Sequence, residues 1–151
     1  MGVKRLGVGC DGSGSNARFH MLGWKGVRDG DVLGVWSPNK KNAESAAAYA
    51  RQLDVGAAKA YRSITEVVHH PAIDAIWLTG PNHSGLENVE EIVAALSSGR
   101  GTLRGIACEK PLARNVAEAK QILKLIESVD LPHGYLENQL FSPHVEAGRI
   151  L

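Results

Sequence analysis

The stretch VKRLGVGCDGSGSNA, residues 3–17, gives the strongest indication of the fold, because it joins an apolar run to a glycine-rich turn and the start of a helix. The apolar run ends at Cys10 and is typical of a buried strand. Beyond the turn, Met21 and Trp24 continue an apolar stripe at helical spacing, to about Arg28. A strand, a tight turn and a helix in this order predict the opening of a βαβ unit.

The same alternation of strand and helix patterns continues along the chain. After the first strand at 3–10 and the first helix at about 14–28, strands are predicted at 31–36, 58–61, 74–79, 105–108 and 133–136, and helices at about 42–53, 63–70, 86–96 and from 116. Such alternation predicts a parallel sheet with helices on both faces. We therefore predict an α/β, doubly wound parallel sheet (Rossmann) of about six strands in the order 3-2-1-4-5-6.

The composition fits one ordinary domain. The chain has 151 residues, 22% of them charged, and a formal net charge of +1. That balance argues against nucleic-acid binding, which needs a strongly basic face. No apolar run approaches the ~18–20 residues of a membrane span, and the first strand follows Met1 too closely for a signal peptide. We expect a cytoplasmic protein in which Cys10 and Cys108 are buried, unpaired thiols.

The glycine turn fits the dinucleotide-binding pattern G-x-G-x-x-A. Gly12 allows the tight turn, Gly14 lets the backbone approach a pyrophosphate, and Ala17 keeps the helix close to the strand. With Ser15 and Asn16, this turn is predicted to bind the cofactor phosphates at the helix amino end. The alternative is a glycine-rich turn that binds no ligand.

The end of the second predicted strand indicates which dinucleotide is preferred. An acid at this place binds the ribose 2′-hydroxyl of NAD, but here Trp36 is followed by Ser37 and then by Lys40 and Lys41. A hydroxyl and a cation suit a 2′-phosphate, with no carboxylate to repel it. The pattern favours NADP, through Ser37 and Lys41, and leaves NAD possible. The alternative is a helix cap with two solvated lysines.

Two more segments follow predicted strands on the same edge of the sheet, where open α/β sheets bind ligands. Residues 81–83, Pro-Asn-His, come after the fourth strand and are predicted to border the nicotinamide ribose, with Asn82 and the backbone in contact and His83 beside them. Residues 109–111, Glu-Lys-Pro, come after the fifth strand. A lysine desolvated in this crevice is a reasonable electrophilic or acid–base group. The alternative for Lys110 is a cap on an adjacent helix.

Other side chains with catalytic potential give no comparable signal. Histidines, cysteines and carboxylates show no metal-binding spacing, and neither a nucleophile elbow nor a P-loop is present. His20, on the first predicted helix, is interpreted as a packing or capping residue.

Four stretches of the sequence resemble the Gfo/Idh/MocA family, named for glucose–fructose oxidoreductase, inositol dehydrogenase and a rhizopine-catabolism protein. They are GSGSNA (12–17), ITEVVHHPAIDAIWLTGPNHSG (64–85), ACEKPLARNVAEA (107–119) and GYLENQLFSP (134–143). The resemblance covers nearly the whole chain, and the EKP segment is its most specific element.

The resemblance implies an NAD(P)-dependent oxidoreductase that transfers hydride to or from a sugar, polyol or related carbonyl compound. It implies that Lys110 is the catalytic lysine, that Glu109 borders the nicotinamide ribose, and that Pro111 fixes the lysine backbone through a cis peptide bond. It also assigns Gly80 and Asn138 to the cofactor site, together with residues 109–111.

The resemblance also implies a domain organisation. Residues 1–140 are expected to form the dinucleotide-binding domain, and residues 141–151 to begin a helix that leads to a second α/β domain. In the family that second domain carries the substrate pocket, a catalytic aspartate and histidine, and the sheet that forms homo-oligomers. Two local features depart from the family: the histidine that usually follows its Pro-Asn segment would fall near residues 84–85, which here are Ser and Gly, and the loop GRGTLRG (99–105) is longer than usual. The alternative function is a free-standing NAD(P)-binding sensor without catalysis.

Overall fold

The structure, a computed structural model, describes residues 5–149. Its strands are β1 (Leu6–Asp11), β2 (Gly30–Trp36), β3 (Lys59–Ala60), β4 (Ala75–Leu78), β5 (Gly105–Glu109) and β6 (His133–Leu136). They form one sheet in the order β3-β2-β1-β4-β5-β6, and every neighbouring pair is parallel. The predicted doubly wound order is confirmed.

The helices are α1 (Ser15–Gly23), α2 (Lys40–Gln52), α3 (Ile64–Val68), α4 (Gly85–Ser97), α5 (Val116–Ser128) and α6 (Pro143–Gly148). Short 3-10 turns lie at Trp24–Gly26, Asn82–Ser84 and Asn138–Phe141. No helix within residues 5–149 has both the length and the apolar character needed to cross a membrane.

Some boundaries differ from the prediction. α1 ends at Gly23 and continues only as a 3-10 turn, because glycines at 23 and 26 disfavour a regular helix. β1 extends one residue beyond Cys10, since Asp11 still pairs in register with β2 and β4. Residues 3 and 4 of the predicted first strand, and residues 150 and 151 of the last predicted helix, lie outside the described residues.

Side-chain caps fix two of the predicted helix starts. The oxygens of Ser63 and Asn115 accept hydrogen bonds from the main-chain N–H groups of Glu66 and Glu118. Each such cap contributes about 1 kcal/mol. Ser63 and Glu66 have the spacing of a capping box, but only half of it forms, because the Glu66 carboxylate accepts from the N–H of Arg62 instead of that of Ser63.

Helices cover both faces of the sheet through two apolar cores. On one face α1 and α2 pack on β1 and β2, and α2 contributes the buried alanines Ala43, Ala46, Ala47 and Ala50. On the other face α3, α4 and α5 pack on β4 and β5. Cys10 and Cys108 lie in different cores, buried and unpaired as predicted. Burial raises the pKa of these thiols to about 12 and about 11, so neither is nucleophilic at neutral pH.

Replacing Ala47 by Leu is expected to lower the free energy of unfolding by about 1–3 kcal/mol, because added methyl groups find no space in this core. Ala47 is 1% exposed, whereas the next residue, Ala48, is exposed on the same helix. Ala48→Leu is therefore the matched control and should stay within ~0.5 kcal/mol of the wild type. Urea unfolding followed by circular dichroism measures both. Equal effects of the two substitutions would contradict the close packing of α2.

Candidate functional site

A groove of about 640 Å³ runs along the carboxyl edge of the sheet. Its walls come from the loops after β1, β2, β4 and β5, which the sequence places far apart. Most of the residues predicted to bind a cofactor line it: Gly12, Gly14, Ser15, Asn16, Ser37, Gly80, Pro81, Asn82, His83, Lys110 and Pro111. Ala17, Lys41, Glu109 and Asn138 do not. The lining also includes residues that sequence reasoning missed, namely Asp11, Ser13, Trp36, Pro38, Asn39, Asn42, Thr79 and Ser84.

Gly12 makes the tight turn that joins β1 to the groove. Its φ is +114°, and a Cβ atom there would lie 2.8 Å from the backbone of Thr79 and Gly80. Its N–H donates a hydrogen bond of 2.9 Å to the carbonyl of Trp36. Only glycine satisfies both the backbone conformation and the close approach, so this position is fixed by the fold itself.

Gly14 precedes α1 and leaves open space in the groove. A Cβ atom on Gly14 would meet no protein atom within 4 Å, so internal packing does not require glycine here. α1 has neither a side-chain hydrogen bond at its N-cap nor an acidic residue in its first turn. Its free N–H groups and helix dipole therefore suit an anion. The start of α1 fits a pyrophosphate, whereas Ala17 is 0% exposed and packs beneath the helix.

The end of β2 presents neutral polar groups to the groove. Ser37 lines it, and so do Asn39 and Asn42, of which Asn39 caps α2 by accepting a hydrogen bond from the Asn42 N–H. Lys41 lies outside the lining. The Lys40 amine is 3.7 Å from the Glu44 carboxylate on the same helix. No carboxylate stands at this end of the groove among the described lining residues.

The loops after β4 and β5 form the opposite wall. The 3-10 turn Asn82–Ser84 is closed by the Ser84 hydroxyl, which donates to the Pro81 carbonyl at 3.0 Å. Lys110 also lines the groove and is exposed, not desolvated as the sequence suggested. The peptide bond between Lys110 and Pro111 is cis, as the resemblance implied.

Glu109 does not line the groove and pairs with His20, which the sequence analysis interpreted as a packing or capping residue. Its Oε1 is 2.6 Å from Nε2 of His20 on α1. The two residues are 89 positions apart, and no local pattern could have joined them. Asn138 begins the 3-10 turn after β6, away from the groove lining.

Asp11 is the main residue that the sequence analysis missed. It ends β1 at the floor of the groove and is 5% exposed. Its Oδ2 accepts a hydrogen bond of 2.8 Å from Asn88 Nδ2 on α4. Burial raises the pKa of Asp11 to about 7; the bond from Asn88 lowers it, and the charge of Glu91 adds to the rise. The sequence does contain a signal that could have identified Asp11, because it is an acidic residue placed directly between an apolar run and a glycine turn.

Within residues 5–149, no group of three or more histidines, cysteines or carboxylates is arranged to hold a metal ion. The polar groups of the groove are instead an uncapped helix start, amides, hydroxyls, the imidazole of His83, one buried carboxyl and one exposed amine. This set suits an elongated ligand with an anionic middle, held mainly by hydrogen bonds.

The chain matches a known protein family over most of its length. The profile described as "Oxidoreductase family, NAD-binding Rossmann fold" matches residues 6–132. Over 149 residues the chain is 30% identical to the uncharacterized protein YMR315W of Saccharomyces cerevisiae, covering 97% of this chain and 40% of that protein. Over 115 residues it is 30% identical to the 1,5-anhydro-D-fructose reductase of Ensifer adhaerens, covering 76% of this chain and 31% of the reductase.

A solved structure supports the fold. The myo-inositol dehydrogenase of Lactobacillus casei, in complex with NAD(H) and myo-inositol, is similar with a TM-score of 0.77 at 23% identity. The match covers 95% of this chain and 40% of that one. The chain therefore spans less than half the length of the relatives that it matches.

The raised pKa of Asp11 predicts a loss of stability as the pH rises from about 4 to about 7. In this window the unfolded carboxyl, with a pKa of 3.8, is ionised while the folded one keeps its proton. Each pH unit of the window therefore costs up to about 1.4 kcal/mol of folding free energy. Asp11→Asn removes the titrating group, so its stability should rise relative to the wild type across the window and then stay level.

Urea unfolding between pH 4 and pH 8 measures this difference. Asp29→Asn is the control, because it removes the same kind of side-chain charge at an exposed position and should not change how stability depends on pH in this window. Parallel curves for the wild type and Asp11→Asn would mean that Asp11 ionises in its ordinary range.

Proposed function

The chain belongs to the Gfo/Idh/MocA oxidoreductase family, with its NAD-binding Rossmann fold, and on that premise we propose a function. Residues 1–140 are the nucleotide-binding half of an NAD(P)-dependent oxidoreductase that acts on a sugar, polyol or related carbonyl compound. The observation that carries the proposal is the groove in which the start of α1 and Lys110 face the same space. The similarity to a reductase of a sugar-derived ketone supports the substrate class.

The turn at Gly12 and Gly14 binds the dinucleotide pyrophosphate in this proposal. The free N–H groups of α1 donate hydrogen bonds to phosphate oxygens, and Ser15 and Asn16 add side-chain donors beside them. When bound, the nicotinamide ring would supply the carbon that exchanges a hydride with the substrate. Asn82 lies on the wall where the nicotinamide ribose is expected, so it orients that end of the cofactor.

Lys110 acts on the substrate oxygen. It follows β5 and lines the groove that the start of α1 also lines. A protonated lysine there stabilises negative charge that develops on a carbonyl oxygen, and it can donate the proton that the oxygen gains. In the oxidation direction the same amine accepts that proton.

We propose NADP as the preferred cofactor, with NAD also accepted. Support comes from the end of β2, where Ser37, Asn39 and Asn42 offer hydrogen-bond donors and no carboxylate repels a 2′-phosphate. Lys41 lies outside the groove lining, so its contribution would require the side chain to turn towards the bound phosphate. One charge-assisted hydrogen bond is worth about 1.5–3 kcal/mol, or tenfold and more in affinity.

NADPH is therefore expected to bind this chain at least about tenfold more tightly than NADH. Trp36 lines the groove, so its fluorescence should report binding of either nucleotide. Ser37→Asp places a carboxylate where the 2′-phosphate would lie and should reverse the preference. Ser128→Asp adds the same charge at the exposed end of α5 and should leave the ratio unchanged. If the wild type binds both nucleotides equally, or binds NADH more tightly, the proposed preference for NADP is wrong.

The proposal extends to the rest of the enzyme. The chain spans 40% of the yeast relative and 31% of the reductase. We propose that residues 141–151, where α6 lies, begin a helix leading to a second α/β domain that carries the substrate pocket and the oligomer interface. The complete enzyme is then a cytoplasmic homo-oligomer with a small-molecule substrate. Sequencing the coding region tests this: a reading frame that stops at codon 151 favours the free-standing sensor.

Lys110→Ala in the complete enzyme is expected to lower kcat/KM about 100-fold or more, a loss typical of one acid–base or electrostatic group. The melting temperature should change little, because Lys110 is exposed. Lys120→Ala on the outside of α5 is the matched control and should keep normal turnover. Steady-state rates and melting curves on the same preparations test whether Lys110 is catalytic. Near-normal turnover with a lower melting temperature would mean that Lys110 has a structural role only.

A further inference from the structure

The Glu109 carboxylate bridges two parts of the chain. Its Oε1 lies 2.6 Å from His20 Nε2, and its Oε2 accepts a hydrogen bond of 2.9 Å from the main-chain N–H of Lys110. The Glu109 side chain is 9% exposed and that of His20 is 20% exposed. Since a carboxylate accepts, the hydrogen of the shorter contact belongs to Nε2 of the imidazole. Both carboxylate oxygens are thus engaged, one with α1 and one with the backbone of the proposed catalytic lysine.

Aromatic packing holds the His20 ring in place. The ring lies against Trp77 of β4, with centroids 4.8 Å apart, and against the edge of Phe19 at 6.2 Å. Trp77 in turn packs on Trp24 at 4.8 Å. These contacts hold the imidazole against β4, so that it can serve as an anchor for Glu109.

We propose that His20 is a positioning residue, which through Glu109 fixes the main chain at Lys110 relative to α1. This inference rests on the proposed function for the role of Lys110, and it concerns only how that lysine is held. His20 does not line the groove. It acts on the reaction solely through the carboxylate that it orients.

The arrangement ties the two ends of the groove to one rigid element. α1 begins at Ser15, beside the proposed pyrophosphate turn, and His20 stands on the same helix, about 9 Å along its axis from Gly14 at 1.5 Å per residue. A bound dinucleotide and the lysine amine are therefore positioned from a common helix. This matters because a misplacement of about 1 Å can cost about 100-fold in rate.

A different role would be a plain cross-link that holds α1 against β5 and contributes only stability. Three variants separate the two roles. His20→Ala removes the anchor, His20→Gln keeps an N–H donor near the position of Nε2, and Leu22→Ala is the control at an exposed position of the same helix. A positioning role predicts rescue by glutamine and loss with alanine.

The kinetic test is a double-mutant cycle in the complete enzyme. His20→Ala should lower kcat about tenfold to 100-fold with the KM for the nucleotide within about twofold, and His20→Gln should retain most of the rate. In a Lys110→Ala background, His20→Ala should have no further effect, because the group that it positions is gone. The same loss in both backgrounds, or no loss in the wild-type background, overturns the proposal.

A second measurement needs neither turnover nor nucleotide. In the 151-residue chain, hydrogen exchange of the Lys110 amide should accelerate at least about tenfold in His20→Ala, and much less in His20→Gln. The amide of Ile92, buried in α4, should exchange at an unchanged rate. If the Lys110 amide exchanges at the same rate in His20→Ala as in the wild type, the proposal that His20 fixes this main chain through Glu109 is wrong. If the wild type binds no nucleotide while the Lys110 amide responds, the proposed function fails and the bridge stands.

Discussion

The close approach of the β1 and β4 ends at Gly12 is the constraint on which the rest of the site depends. No side chain fits there, because a Cβ atom would lie 2.8 Å from the backbone of Thr79 and Gly80. The chain can therefore turn sharply off the sheet and begin α1 with its free N–H groups towards the groove. The same contact sets the loop after β4 against the loop after β1, so that two distant segments line one groove. Lys110 follows the next strand, β5, and lines the same groove.

Asp11 and Glu109 both place a carboxyl group at this edge of the sheet, but the two groups have different hydrogen-bond partners. Asp11 is buried against a neutral amide, that of Asn88, so desolvation prevails and its pKa rises to about 7. Glu109 has two hydrogen-bond donors, the His20 ring and the Lys110 N–H. The first group can hold a proton near neutrality under the proposed cofactor site, whereas the second serves as an acceptor that joins two elements.

The residues after β2 show that closeness in sequence does not place two side chains on the same side of a helix. Lys41 follows Ser37 closely, yet it belongs to the first turn of α2, where each residue is rotated by about 100° from the one before. Asn39 and Asn42 therefore share the groove side of this turn, while Lys41 does not line it and Lys40 lies near Glu44. A neutral hydrogen-bonding surface replaces the cationic one that the sequence suggested.

The strand order, the glycine turn and the helix starts near Ser63 and Asn115 could be predicted from the sequence, because each depends on local spacing or on the rules of parallel sheets. The same rules place the loops after β1, β2, β4 and β5 at one edge of the sheet. The pairs Asp11–Asn88 and His20–Glu109 could not be predicted, since they join residues 77 and 89 positions apart. These bonds depend on how α4 and α1 lie on opposite faces of the sheet. Helix placement at that precision follows from the packing of two cores, which no periodic pattern encodes.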